Sequence, residues 1–119
     1  MSVKDFVQQR RDALIAMRRD FHMYPEPAWL EYRSAAKVAD TLISLGYDVA
    51  LGADVLDLDS RMGLPSDEVM KVAMDRAIEE GANPELVEKM GYGKTAIVAT
   101  MKFGGEGPVV AFRVDMDSN

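Results

Sequence analysis

The chain has 119 residues, 48% of them apolar, and a formal charge of −6. That apolar content supports a sizeable core and excludes disorder, while the negative balance excludes nucleic acid and an anionic membrane surface as favoured partners. With no cysteine there are no disulfides or thiolate metal sites. No run approaches the roughly 18 apolar residues of a membrane span, and Met-Ser-Val-Lys-Asp lacks a signal peptide's apolar region, so a soluble cytoplasmic protein is expected.

Residues 3–22 read as one helix, because Phe6, Val7, Ala13, Leu14, Met17 and Phe21 keep a three-to-four spacing. Ser2 with Asp5 resembles a capping box at its start. Pro25 and Pro27 end the helix and fix an extended connector around Glu26. A second helix is expected over Glu31–Leu45 on the stripe Ala35, Val38, Ala39, Leu42 and Leu45, stopped by Gly46. Tyr47–Leu51 alternates as a short strand.

The stretch 52–91 reads as a helical insertion between strands. Residues 52–66 form a loop, and Val69, Met70, Ala73, Met74, Ala77 and Ile78 then mark a helix over 67–80, capped by Ser66 and stopped by Gly81. Asn83-Pro84 opens a short helix that ends at Gly91. Met70, Met74 and Met90 fit either a core stripe or a partner interface. Two apolar runs follow, Thr95–Phe103 and Val109–Val114, joined by the Gly-rich link 104–108. They predict a hairpin whose strands are covered on both faces. Helices on each side then give an α/β layered core.

Four features invite a chemical reading. Gly91-Tyr92-Gly93-Lys94-Thr95 suggests a phosphate loop, but Glu88 stands where a Walker loop has its first glycine. A strand also follows where a helix should, so a plain helix-to-strand loop is expected. His22, the single histidine, is read as a capping or packing residue rather than a metal ligand. Tyr24, Trp29 and Tyr32 are read as a small aromatic lid over the helix ends. Asp115 and Asp117 stand at i and i+2 as the last apolar run ends, a spacing that on a strand points both carboxylates to one face. Such a pair can bind a divalent cation, position a metal-bound water or orient a ligand; the plainer reading is a solvated strand end.

Two stretches together resemble a known family. Arg18-Arg19-Asp20-Phe21-His22-Met23-Tyr24-Pro25-Glu26, followed by Glu31-Tyr32-Arg33-Ser34, is similar to the opening signature of the metal-dependent amidohydrolases related to aminoacylase and hippurate hydrolase. Gly107-Pro108-Val109-Val110-Ala111-Phe112-Arg113-Val114-Asp115-Met116-Asp117 is similar to that family's Gly-Pro-x-Val-Ala-Leu-Arg-Ala-Asp-Met-Asp. The insertion at 52–91 resembles the aminobenzoyl-glutamate utilisation branch of the family. Ser118 and Asn119 depart from the Ala-Leu that usually follows.

The resemblance implies a zinc-exopeptidase-like layered α/β domain with a mixed sheet flanked by helices, of which 1–119 is the N-terminal portion. It also implies hydrolysis of the amide bond of an N-acyl amino acid such as aminobenzoyl-glutamate, with zinc or manganese in the full-length parent and a homo-oligomer or partner subunit. By the same resemblance Asp117 is the catalytic, metal-neighbouring carboxylate and Asp115 a weaker metal candidate. The cysteine, histidines and general-base glutamate of the family have no counterpart here. A two-ion site needs about four ligands per ion, so the 119-residue chain is expected to bind no metal and to be inactive alone. The alternative is a non-catalytic interaction or oligomerisation module, since an unpaired apolar strand recruits a partner strand.

Overall fold

The computed structural model describes all 119 residues. Its helices are α1 (Val3–Gln9), α2 (Arg11–Met23), α3 (Tyr32–Ser44), α4 (Asp67–Glu79) and α5 (Pro84–Lys89); its strands are β1 (Asp48–Leu51) and β2 (Ile97–Thr100). The capping box forms as expected: Asp5 N–H donates to Ser2 Oγ at 3.1 Å while Ser2 N–H donates to the Asp5 carboxylate at 3.2 Å. The helix expected over 3–22 is nevertheless two helices. It breaks at Arg10, whose φ and ψ are −99° and 5°. Gln8-Gln9-Arg10-Arg11-Asp12 offers no apolar side chain to pin that turn, and the Arg10 guanidinium lies over the Phe6 ring at 4.4 Å.

Only 18 of 119 residues are buried, so the core is small, and it gathers around α3. Ala35, Ala36 and Ala39 meet Ala73 and Ala77 of α4 and Leu86 and Val87 of α5, with Tyr32, Ala82 and Met90 completing the cluster. Alanine on both sides lets the backbones approach closely, and the burial of Leu86, Val87 and Met90 contributes about 1.5–3 kcal/mol each. The 52–91 insertion therefore supplies six of the ten residues of the core cluster and is no appendage. Met70 and Met90 are 3% and 0% exposed, and Met74 packs against the cluster, which decides for the core stripe over a partner interface. Ser66 and Asn83 cap α4 and α5 as their positions suggest.

The insertion leaves β1 through a buried Gly52 at φ +59°, where an added Cβ would stand 2.7 Å from the Lys89 carbonyl. It returns to β2, which pairs antiparallel with β1 from Asp48↔Thr100 to Leu51↔Ile97. The layered α/β class holds, with these two strands as the sheet. Val49, Leu51 and Ile97 face the helical cluster, whereas Val98 is 51% exposed.

The expected hairpin does not form. Residues 109–114 adopt no strand, and Val109, Val110, Phe112 and Val114 are 97%, 70%, 91% and 77% exposed. Both strands covered on two faces is therefore also corrected: β2 alternates and is half-buried on one side. The physical reason is pairing. β2 pairs with β1 on one edge only, and the Gly-rich link 104–108 is exposed along its whole length, so nothing brings the tail to the free edge in register. Apolar composition makes the tail look like a strand but cannot supply its neighbour.

One side chain ties the helices together. Arg33 is 5% exposed. Its Nη1 and Nη2 donate to the Asp20 carboxylate at 3.0 and 2.9 Å, and its Nε donates to the Glu80 carbonyl at 2.9 Å. Its guanidinium stacks 4.0 Å from the centre of the Tyr24 ring. It thus joins α2, α3 and the open C-terminal carbonyls of α4. Lys37 adds a second contact to Asp20 at 2.7 Å. Replacement by Lys cannot reproduce the fork or the stack, so Arg33→Lys should lower unfolding free energy by about 2 kcal/mol, measured by urea denaturation. Arg33, and then Lys37, hold the Asp20 carboxyl down from 3.8 to about 2. The stability from this contact is present above the unfolded value and lost as pH falls from about 4 to about 2. An Asp20→Asn protein should lose the wild-type excess stability seen at pH 6, and the two urea curves should converge as pH drops through that window.

Candidate functional site

The site is built on the connector between α2 and α3. Pro25 and Pro27 hold this stretch extended, which turns Glu26 inward until it is 2% exposed. Its carboxylate accepts from Arg33 N–H at 2.9 Å, Ser34 N–H at 2.7 Å and the Ser34 hydroxyl at 2.8 Å. Those amides belong to the first turn of α3, where orphan donors and the helix dipole favour a negative charge. Glu31 occupies the N-cap position itself but its side chain makes no cap bond. The cap comes from five residues further back.

The tail docks on the same connector. Ser118 N–H donates to the Glu26 carbonyl at 2.8 Å, and Met116 packs against the core cluster. This brings the Asp115–Asp117 segment beside Glu26 and Glu31 without a strand. Between tail and helices lies a cavity of about 250 Å³ lined by Phe21, Glu26, Ser34, Val38, Val114 and Asp115, among others. Asp115 faces that cavity and pairs with Arg113 at 3.1 Å, both side chains more than half exposed. Asp117 has a different neighbour. Its charge acts on Glu31, whose carboxyl is pushed up chiefly by burial, against the pull of its own backbone N–H and the Thr95 hydroxyl, with Asp117 and Glu26 adding to the rise. The one-face arrangement expected of an i, i+2 pair on a strand is not what the tail presents.

His22 is exposed in the last turn of α2, where it neither caps nor packs into the core. The aromatic lid is also corrected, because its members serve separately. Tyr24 stacks on Arg33; Trp29 Nε1 donates to the Met62 carbonyl at 2.9 Å; and Tyr32, fully buried, accepts from Gly93 N–H at 3.0 Å. Gly91-Tyr92-Gly93-Lys94-Thr95 runs from α5 to β2 as a loop, with no helix after it. No three of the chain's Asp, Glu and His side chains gather as a metal group. The donors present do not fit a metal centre by themselves.

Sequence reasoning does not single out Glu26, Glu31 or Thr95 as functional. Glu31 reads as an ordinary helix-start acid. The flanking prolines are the one signal that Glu26 is fixed inward.

No family model matches the chain. It is 45% identical over 116 residues to the indole-3-acetyl-aspartic acid hydrolase of Enterobacter agglomerans, an alignment of 98% of the chain and 27% of that protein. To one of the subunits of the p-aminobenzoyl-glutamate hydrolase of Escherichia coli (strain K12) it is 44% identical over 117 residues, again 98% and 27%. The crystal structure of an aminobenzoyl-glutamate utilization protein from Klebsiella pneumoniae superposes with a TM-score of 0.94 at 46% identity, over 99% of the chain and 30% of that structure. The chain is therefore a close homologue of a segment of these proteins, as its two motifs suggest, and it spans about 27% of the length of the curated relatives. No helix is long and apolar enough to cross a membrane.

Removing the Glu26 carboxylate strands two buried amides at the start of α3. Glu26→Ala should cost about 3 kcal/mol in unfolding free energy, with Glu26→Gln, which keeps one acceptor oxygen, losing about half as much; thermal and urea unfolding would read both.

Proposed function

We propose that residues 1–119 form the N-terminal portion of the catalytic domain of a metal-dependent amidohydrolase, with 52–91 as its helical insertion. The substrate class is an N-acyl or aroyl amino acid with an acidic side chain, such as aminobenzoyl-glutamate. The observation that carries this reading is the superposition at TM-score 0.94 and 46% identity over 99% of the chain, supported by two hydrolases at 44–45% identity. A divalent ion, zinc or manganese, would supply water activation in the complete enzyme. The present donor set does not hold it, so its further ligands and the general base come from outside these residues.

Within this reading Asp117 is the metal-neighbouring carboxylate and Asp115 a weaker metal candidate. The connector's task is to hold the tail that carries them, through the Ser118–Glu26 bond and the packing of Met116. The exposed surface agrees. The chain shows 8840 Å² to solvent, whereas a compact monomer of its mass exposes about 6,400 Å². Phe6, Val7, Leu14 and Met17 on α1 and α2 are each about half exposed, alongside the bare apolar tail. These faces are the contact surfaces for the rest of the enzyme and for a homo-oligomeric or partner subunit, in the cytoplasm. The same exposed tail also suits a non-catalytic interaction module.

Grafting decides between the two. Residues 1–119 should replace the matching segment of an aminobenzoyl-glutamate hydrolase and restore metal-dependent release of aminobenzoate. Asp117→Ala in that chimera should lower turnover roughly 10- to 100-fold. A folded chimera that hydrolyses nothing would overturn the amidohydrolase reading. The 119-residue chain with zinc or manganese should release no aminobenzoate.

A further inference from the structure

Trp29 and Tyr92 are the two residues other than glycine with positive φ, at +67° and +56°. A bulky side chain is unfavourable there, and each of the two sits inside a turn closed by one backbone bond. Trp29 is the third residue of the turn in which Leu30 N–H donates to the Pro27 carbonyl at 3.0 Å, a place that at positive φ suits glycine or asparagine. Tyr92 lies in the turn in which Lys94 N–H donates to the Met90 carbonyl at 3.1 Å. The two residues are 63 positions apart in sequence, one on the connector and one in the loop before β2. Backbone settings of this kind persist only where the surrounding structure over-determines them.

One short segment grips both turns. Arg61 Nη1 donates to the Tyr92 carbonyl at 2.9 Å and to the Gly93 carbonyl at 3.1 Å, while its Nε is tied to the Leu58 carbonyl at 2.9 Å. The next residue, Met62, accepts the Trp29 indole N–H on its own carbonyl at 2.9 Å. Leu64 rests on Gly93, where an added Cβ would stand 2.4 Å from the Leu64 Cδ2. No backbone group of residues 61–65 bonds to another backbone group, so side chains hold this segment in place. We propose that residues 61–65 are a strap that couples the two strained turns. Arg61 latches it to the turn before β2, and the Trp29 indole latches it to the connector. Without backbone bonds of its own the strap comes free as a unit when either latch is lost, and both turns then lose the contact that holds them. The connector end of the strap lies three residues beyond Glu26, whose carbonyl seats the tail.

The experiment is amide hydrogen exchange on the 119-residue chain, read by NMR at Leu30 and Lys94, whose N–H groups close the two turns. Arg61→Ala and Trp29→Phe should each speed both amides about 3- to 10-fold, and the double variant should exchange no faster than the faster single one. Met62→Ala removes a side chain that is 82% exposed and keeps the carbonyl, so both amides should stay at wild-type rates. The amide of Ala39, in the buried part of α3, should keep its protection in every variant. A wild-type rate at the distant amide in either single variant would overturn the proposal, because the two latches would then be separate local contacts. So would effects that multiply in the double variant, or a Met62→Ala protein that behaves like Arg61→Ala. Faster exchange at Ala39 in step with Leu30 and Lys94 would overturn it as well, because that is general loosening.

Discussion

A single buried carboxylate organises this chain. Glu26 satisfies the first amides of α3 with its side chain and receives the tail on its own carbonyl. The charge is tolerable inside because it meets three donors at the positive end of a helix. Once α3 is started at that point, its next residues follow in order: Tyr32 reaches the loop before β2, Arg33 reaches α2 and α4, and the alanines that come after form the floor of the core. Successive residues therefore face separate parts of the fold. A shift of helix start by one residue would misdirect all of them.

Much of this is legible in the sequence. The apolar spacing of Val69 to Ile78 and the Asn83-Pro84 pair locate α4 and α5 closely, because local capping and periodicity are strong where the helix must also bury a face. The same logic fails at Arg10, where periodicity on either side hides a five-residue polar gap. It fails again at 109–114. A strand is defined by its neighbour, and an apolar run carries no information about whether β2 has a free edge in reach. Family likeness is readable from two motifs, while the function of their individual residues is not. Glu26 sits inside the first motif, yet its work depends on amides seven and eight positions later, and no periodic pattern marks such a contact.

The chemistry expected of Asp115 and Asp117 is distributed differently from the simple picture of two ligands on one strand face. Asp115 lines the cavity beside α2 and α3, and Asp117 does not. The tail is held by the connector, through the bond from Ser118 N–H to the Glu26 carbonyl.

The alanine floor has a consequence for how this fold is ordered. Ala35, Ala36, Ala39, Ala73 and Ala77 have no side-chain torsions to freeze, so their part of the contact of α3 with α4 gives up almost no rotamer entropy, which is lost instead at Leu86, Val87 and Met90. What selects the arrangement is the distance at which two helix backbones can approach. Such an interface is stiff against compression and offers few alternative packings, since a methyl group cannot swing aside. The helices should move as one body. Slow exchange between conformers would then be confined to the long side chains at the rim and to the tail, and the setting of the tail could change without any rearrangement of the body that carries it.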